Sequence, residues 1–241
     1  MGRDSHSPLQ KCTAAIRMLG YGTPADALDE VLKITASTSL ECLGKFAEGV
    51  IECFGGEYLR APTSDELEKI IQQNESRGMI GSIDCMHWPW KNCPKAWAGM
   101  FTRGDKGKPT MILEAVASRD LRIWHAFFGT TGSQNDIQVL NKSPLFIQAI
   151  KGEAPRVNYI VNGTQYDMGY YLADGIYPEW AAFVKTIRKP QRQEGARKDV
   201  ECAFGVLQSR FDIVNRPARL WKRNDVVNIM QACIILHDSG R

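Results

Sequence analysis

Through residues 8–55, apolar side chains recur three and four positions apart, the spacing of helices that bury one face. Leu9, Cys12, Ile16 and Leu19 mark a first stripe, interrupted by Gly20-Tyr21-Gly22-Thr23-Pro24. A second helix is predicted from residue 25 to about 34. A third follows Ser37-Thr38-Ser39 and carries Leu40, Leu43, Phe46, Ala47, Val50, Ile51 and Phe54 on one stripe. Ser39 is its predicted cap and Gly55-Gly56 its stop. Residues 62–75 read as a linking helix capped by Thr63 or Ser64. Its Asp65 and Glu66 sit where a helix N-terminus favours negative charge.

From Gly78 the period changes. Residues 79–84 predict a short buried strand, and 109–118 and 121–128 predict two more, joined at Arg119-Asp120. Gly132-Ser133-Gln134-Asn135-Asp136 leads into a helix. Residues 157–161 and 166–173 predict further strands, 178–184 a short helix opening on a proline, and 185–195 a polar loop. An amphipathic helix is predicted over 196–211 and a last apolar helix from about 225 to 236. The pattern gives an α/β chain, a mixed sheet flanked by helices. It divides into a helical, helix-turn-helix-like subdomain over 1–76 and a sheet domain over 77–241.

At 44% apolar and 24% charged, 241 residues carry enough apolar material for a real core and too much for disorder. Apolar runs stay far below the roughly 20 residues that span a bilayer, so no membrane association is expected. The seven cysteines include no CxxC and are expected to be free thiols. Net charge is +3, unevenly spread: residues 1–76 hold 7 Lys/Arg and 12 Asp/Glu, and residues 77–241 hold 23 and 15. The basic excess suits a polyanion, although a mixed solvated surface carries the same numbers. The third helix carries Glu41, Glu48 and Glu52 against Lys45. That composition fits a structural role better than entry into a DNA groove.

Three carboxylates fall where chemistry would need them. Asp84 ends one apolar strand and Asp174 ends another, just before Gly175. Glu201 flanks the Val200, Ala203, Phe204 and Leu207 stripe of the amphipathic helix. Acids gathered at a sheet edge repel one another unless a cation screens them, and hard oxygen donors suit Mg²⁺ or Mn²⁺. Two such ions can activate a nucleophile and stabilise the leaving oxygen of a phosphodiester. Each acid also has a bland reading: Asp174 as a turn residue, Glu201 as a helix partner of Arg197, Asp84 as a strand-end cap. Asp199, two residues from Glu201, is expected on a different face, solvated. Cys85, His87 and Cys93 lack the fourth ligand and spacing of a zinc site. Trp88, Trp90 and Trp97, with Lys91, Lys95 and Arg103, read either as a stacking surface for nucleic acid or as a tryptophan-rich loop packed on the sheet.

Three stretches closely resemble PIF/Harbinger-type transposases, most of all their plant transposon-protein branch. They are Gly81-Ser82-Ile83-Asp84-Cys85-Met86-His87-Trp88, Tyr170-Tyr171-Leu172-Ala173-Asp174-Gly175-Ile176-Tyr177-Pro178 and Arg197-Lys198-Asp199-Val200-Glu201-Cys202-Ala203-Phe204-Gly205. Gly132-Ser133-Gln134-Asn135-Asp136-Ile137 resembles a further segment of that family, and the likeness runs from about Pro8 to Leu236. The resemblance implies an RNase H-like core with a DDE site. Asp84, Asp174 and Glu201 would then be catalytic, holding divalent metal with Asp136, and His87 and Arg197 would support them. For His87, simple packing is the competing reading. The resemblance further implies a nuclear, metal-dependent DNA endonuclease acting by phosphodiester hydrolysis or strand transfer, with a Myb-like DNA-binding partner protein. Three departures point to an alternative. Only 26 residues separate Asp174 from Glu201, a shorter interval than the family's, and the chain is expected to lack flanking stretches at both ends. The alternative is an inactive, domesticated copy acting as a nuclear DNA- or protein-binding module.

Overall fold

Ser7 opens the first helix. Its hydroxyl accepts from the Gln10 N–H while the Gln10 side chain returns to the Ser7 N–H, and Pro8 presets the first turn. The computed structural model describes residues 6–74, 78–105, 107–151, 156–180, 182–185 and 191–240, the last stretch with side chains from residue 198 onward. Helix α1, Pro8–Tyr21, ends where Gly22 turns left-handed at φ 57°. After the short α2, Ala27–Leu32, comes α3, Ala36–Tyr58.

Two predictions fail here. The buried face of α1 is Ala14, Ala15, Met18 and Leu19, whereas Leu9 and Ile16 are exposed. Small alanines let α1 lie close against α3, which outweighs the larger side chains on the other face. Helix α3 is capped by Thr35, not Ser39, which is buried inside it, and it runs through Gly55-Gly56 to Tyr58. Tyr58 and Leu59 pack on the core and hold the glycine-weakened end.

Helix α4, Ser64–Gln73, follows its predicted cap. Thr63 accepts from the Glu66 N–H, and the Glu66 carboxylate accepts from the Thr63 N–H at 2.8 Å. Arg60 grips the same carboxylate at 2.7 and 3.0 Å and draws its pKa down to about 2. Thr63→Ala should cost about 1 kcal/mol, read as a lower urea midpoint, and Thr63→Ser should restore it.

The strands are β1 Met79–Pro89, β2 Thr110–Ala117, β3 Ile123–Thr131, β4 Arg156–Val161, β5 Thr164–Met168, β6 Tyr170–Ala173 and β7 Phe183–Lys185. Five form one sheet in the order β3-β2-β1-β6-β7, antiparallel from β3 to β1 and parallel from β1 to β7. This is an RNase H-like mixed sheet flanked by helices. Between strands lie α5 Lys95–Phe101, α6 Asp136–Leu140 and α7 Pro144–Ile150. After them come α8 Gln191–Arg210, α9 Asp212–Asn215 and α10 Arg223–Asp238.

Several boundaries differ from the sequence reading. The first strand runs five residues past Asp84, because Cys85 to Pro89 pair with Glu114 to Thr110. The stretch 166–173 is two strands in two sheets, β5 pairing β4 and β6 pairing β1. Gly169 makes the break: a Cβ there would meet Ile80 at 2.5 Å. Residues 178–180 are not helical, and Phe183–Lys185 pairs with β6 as an edge strand. The predicted loop 185–195 also shrinks: Lys185 closes β7, residues 186–190 fall outside the described ones, and α8 already begins at Gln191.

One sheet face carries the larger core. Leu113, Ala115 and Ala117 of β2 meet Val200, Ala203 and Leu207 of α8, the α10 stripe and the buried faces of α1 and α3. The other face holds Ile83, Val116, Tyr171, Ala173, Tyr177 and Phe183. All seven cysteines are free thiols. Among the described residues no helix is long and apolar enough to cross a membrane.

Candidate active site

Strand register brings two of the predicted acids to one level. The β1–β6 ladder runs in parallel to Ser82 opposite Leu172. Two residues beyond that last pair come Asp84, within β1, and Asp174, just past the end of β6 at Ala173. Alternation puts Asp84 on the α8 face, since its β2 neighbour Ala115 and the next alternate residue, Met86, both belong to the larger core. Both carboxylates also accept from the N–H of the residue that follows. Asp84 accepts from the Cys85 N–H at 2.8 Å, and Asp174 accepts from the Gly175 N–H.

Helix α8 is fastened beside this pair by a residue the sequence reading passed over. Buried Ser82 accepts from the Val200 N–H at 3.0 Å. Its signal was a lone hydroxyl in the apolar run Ile80-Gly81-Ser82-Ile83. Glu201 follows Val200 directly and is exposed at the flank of the buried stripe, as its spacing predicted. Asp199 differs from expectation. It is half-buried, Oδ2 is enclosed, and burial raises its pKa against the pull of Arg119. The side chain of Arg197 lies outside the described residues.

Asp136 comes from the opposite side of β1, at the start of α6, where Asn135 caps the helix through Gln138. Burial pushes its carboxyl above the usual aspartate range. Cys85, His87 and Arg103 pull it down, and the nearby Asp174 charge adds to the rise. His87 is held by Thr110, with Nδ1 and Oγ1 2.8 Å apart. Behind them lies a buried polar group that sequence reasoning missed. The Cys85 thiol meets the Tyr177 hydroxyl at 3.7 Å, and burial raises both pKa values. Fully buried Glu114, opposite Cys85 in the ladder, meets His125 Nε2 at 3.2 Å, and His125 also meets Ser143 at 3.1 Å. A glutamate inside the apolar run of β2 was the available signal.

The donors are hard carboxylate oxygens, which suit Mg²⁺ or Mn²⁺. Their spacing is open: among the described residues no three His, Cys, Asp or Glu side chains gather closely enough to hold a metal ion. Asp84 lies within β1 and Asp174 just past the end of the neighbouring β6. Asp136 approaches from the other face, and Glu201 stands on the exposed flank of α8.

A family model described as plant transposon protein matches residues 56–239. The chain belongs to that family. Its plant transposon-protein members are the branch of PIF/Harbinger-type transposases that the three motifs resemble. The chain is also similar to "Protein ALP1-like" of Arabidopsis thaliana, 25% identical over 253 aligned residues. That alignment takes in 95% of the chain and 59% of the relative, so the chain spans little more than half the relative's length. No solved structure matches. The family match spans Asp84, Asp136, Asp174 and Glu201 together.

The raised Asp136 carboxyl gives a testable sign in this transposon-protein chain. A folded pKa above the unfolded value near 3.8 favours the folded state most at low pH. That contribution is lost as pH rises through the folded value. Asp136→Asn should therefore gain urea stability over the parent from pH 3.8 upward, in EDTA, and the gain should level off above the folded pKa. A difference that is flat across this range would show that burial does not strain the carboxylate.

Proposed function

We propose that this transposase-derived chain is a metal-dependent DNA endonuclease of the DDE type. The observation that supports the reading is the parallel β1–β6 ladder, whose last pair, Ser82 and Leu172, stands two residues before Asp84 and two before Asp174. Two adjacent carboxylates repel each other until a cation joins them. Asp84 and Asp174 would hold the divalent ion, with Asp136 across the strand and Glu201 on α8 as the further acids. A bound Mg²⁺ or Mn²⁺ would supply charge neutralisation at the phosphodiester and an activated nucleophile. His87 fixes its ring on Thr110 beside Asp136, and the basic excess of residues 77–241 holds the DNA backbone. On the same reading the protein works in the nucleus, and a Myb-like protein shares recognition of DNA.

Supercoiled plasmid is the direct test. Nicking should require Mg²⁺ or Mn²⁺, stop in EDTA and disappear in Asp84→Ala. Metal-independent plasmid binding with no nicking under any divalent ion would replace this reading with the inactive, DNA- or protein-binding copy.

A further inference from the structure

Residues 216–223, Arg-Pro-Ala-Arg-Leu-Trp-Lys-Arg, place four cations in eight positions, and no acid occurs from Ile213 to Asn224. The backbone of this segment is pinned. Trp88 Nε1 donates to the Arg216 carbonyl at 2.7 Å and Trp90 Nε1 to the Leu220 carbonyl at 2.8 Å. Asn92 donates to the Arg219 carbonyl, and Ala218 exchanges 2.8 Å backbone bonds with Pro89 and Lys91. With these carbonyls held, Ala218 and Leu220 face the core and Arg216, Arg219, Trp221 and Lys222 stay exposed. Trp221 is 70% exposed, between exposed Arg219 and Lys222. Arg216 is paired with Asp212, and Arg223 donates to the Gly129 carbonyl, but Arg219 and Lys222 form no ion pair among the described residues.

We propose that Arg219, Trp221 and Lys222 form a stacking subsite for one unpaired base of a nucleic-acid strand. A solvent-facing indole is poorly placed for stability, yet it offers a flat face that any base can stack on, and flanking cations grip the adjoining phosphates. An apolar groove of about 610 Å³ runs beside the segment, and Asp26, Glu41 and Asp225 line it. Those acids repel phosphate, so the base faces the groove and the backbone lies along Arg219 and Lys222. The position also fits the acid pair. Trp88, which holds the segment, lies four residues beyond Asp84 on the same face of β1, about 13 Å away. The subsite rests on the proposed nuclease reading only for which strand it receives.

The test is anisotropy of a labelled single strand of about 12 nucleotides with the full chain in EDTA, where no cleavage occurs. Trp221→Ala should weaken binding about 5- to 150-fold, and Trp221→Phe should recover most of it. Arg219→Ala with Lys222→Ala should weaken binding further and flatten the slope of log K against log salt by about 1.4. Melting temperatures should stay unchanged, because all three side chains are exposed. No binding by the parent chain, parent-like binding by Trp221→Ala, or equal loss in Trp221→Phe would overturn the subsite. Parent-like binding would instead leave the indole to a protein partner. The two readings fail separately. Trp221-dependent binding without metal-dependent nicking defeats only the nuclease, and nicking with Trp221-independent binding defeats only the subsite.

Discussion

Trp90→Ala lowers the melting temperature by about 6–20 °C. Truncating a buried tryptophan costs about 3–5 kcal/mol, and each kcal/mol moves a chain of this size by about 2–4 °C. Trp90 has every reason to sit at the upper end. It is fully buried, meets Phe101 edge-on at 5.2 Å, and its N–H satisfies the Leu220 carbonyl. Alanine leaves both a cavity and a carbonyl without its donor. Trp90→Phe refills much of the space without the N–H, so it should recover roughly half the loss. Circular dichroism melts of the three proteins decide it. A Trp90→Ala melt within about 2 °C of the parent would show that the indole is not a strut of the core. The change should also free residues 216–222, seen as faster amide exchange at Ala218, while a Trp97→Ala control at a half-exposed ring leaves them protected.

The tryptophans show where the sequence spoke clearly and where it did not. Trp88, Trp90 and Trp97 read either as a stacking surface or as packed rings. Packing took Trp88 and Trp90, and the exposed aromatic platform belongs to Trp221, which periodicity left in a gap between helices. Elements with one strong period were legible: α4 with its capping box, the β2–β3 hairpin, α8 and α10. Elements decided by distant partners were not. β7 opens after a proline that suggests a helix, yet it is recruited as a strand because Tyr171 N–H donates to the Ala182 carbonyl and Phe183 fits among Tyr171, Tyr177 and Trp180. In α1 the buried alanines carry almost no hydrophobic signal, so the stripe of larger residues pointed to the wrong face.

For the site, the sequence marked the acids but not their grouping, and it placed Asp84 at a strand end where the strand in fact runs on to Pro89. Bringing Asp84 and Asp174 to neighbouring strands needs the β1–β6 ladder, in which Ser82 pairs with Leu172 ninety positions on, a contact no local pattern encodes. The buried Glu114, His125 and Ser143 group was hidden for the same reason. Glu114 stands out as an acid in an apolar run, but His125 and Ser143 carry no local signal, and only the fold brings the three together.

Asp84→Asn and Asp174→Asn should each reduce plasmid nicking by about 100-fold or more. Changes merely adjacent to metal ligands already cost about 10- to 100-fold. Asparagine keeps the shape and removes one charge, so the loss isolates the charge itself. The double variant should be no worse than the poorer single, because once the cation is lost the second carboxylate has nothing to hold. In EDTA the sign reverses: removing one of two neighbouring like charges should leave the melting temperature equal or higher. Asp199→Asn, on α8 but turned toward Arg119, should stay close to the parent in nicking. Loss in Asp84→Asn with none in Asp174→Asn would break the register argument. Glu201→Gln tests the remaining step. Glu201 is exposed and no three-acid group forms among the described residues, so a loss as large as that of Asp84→Asn requires α8 to shift toward the pair when DNA and cation are bound. A parent-like Glu201→Gln beside two dead aspartate variants would confine the chemistry to Asp84 and Asp174, with Asp136 as the third acid.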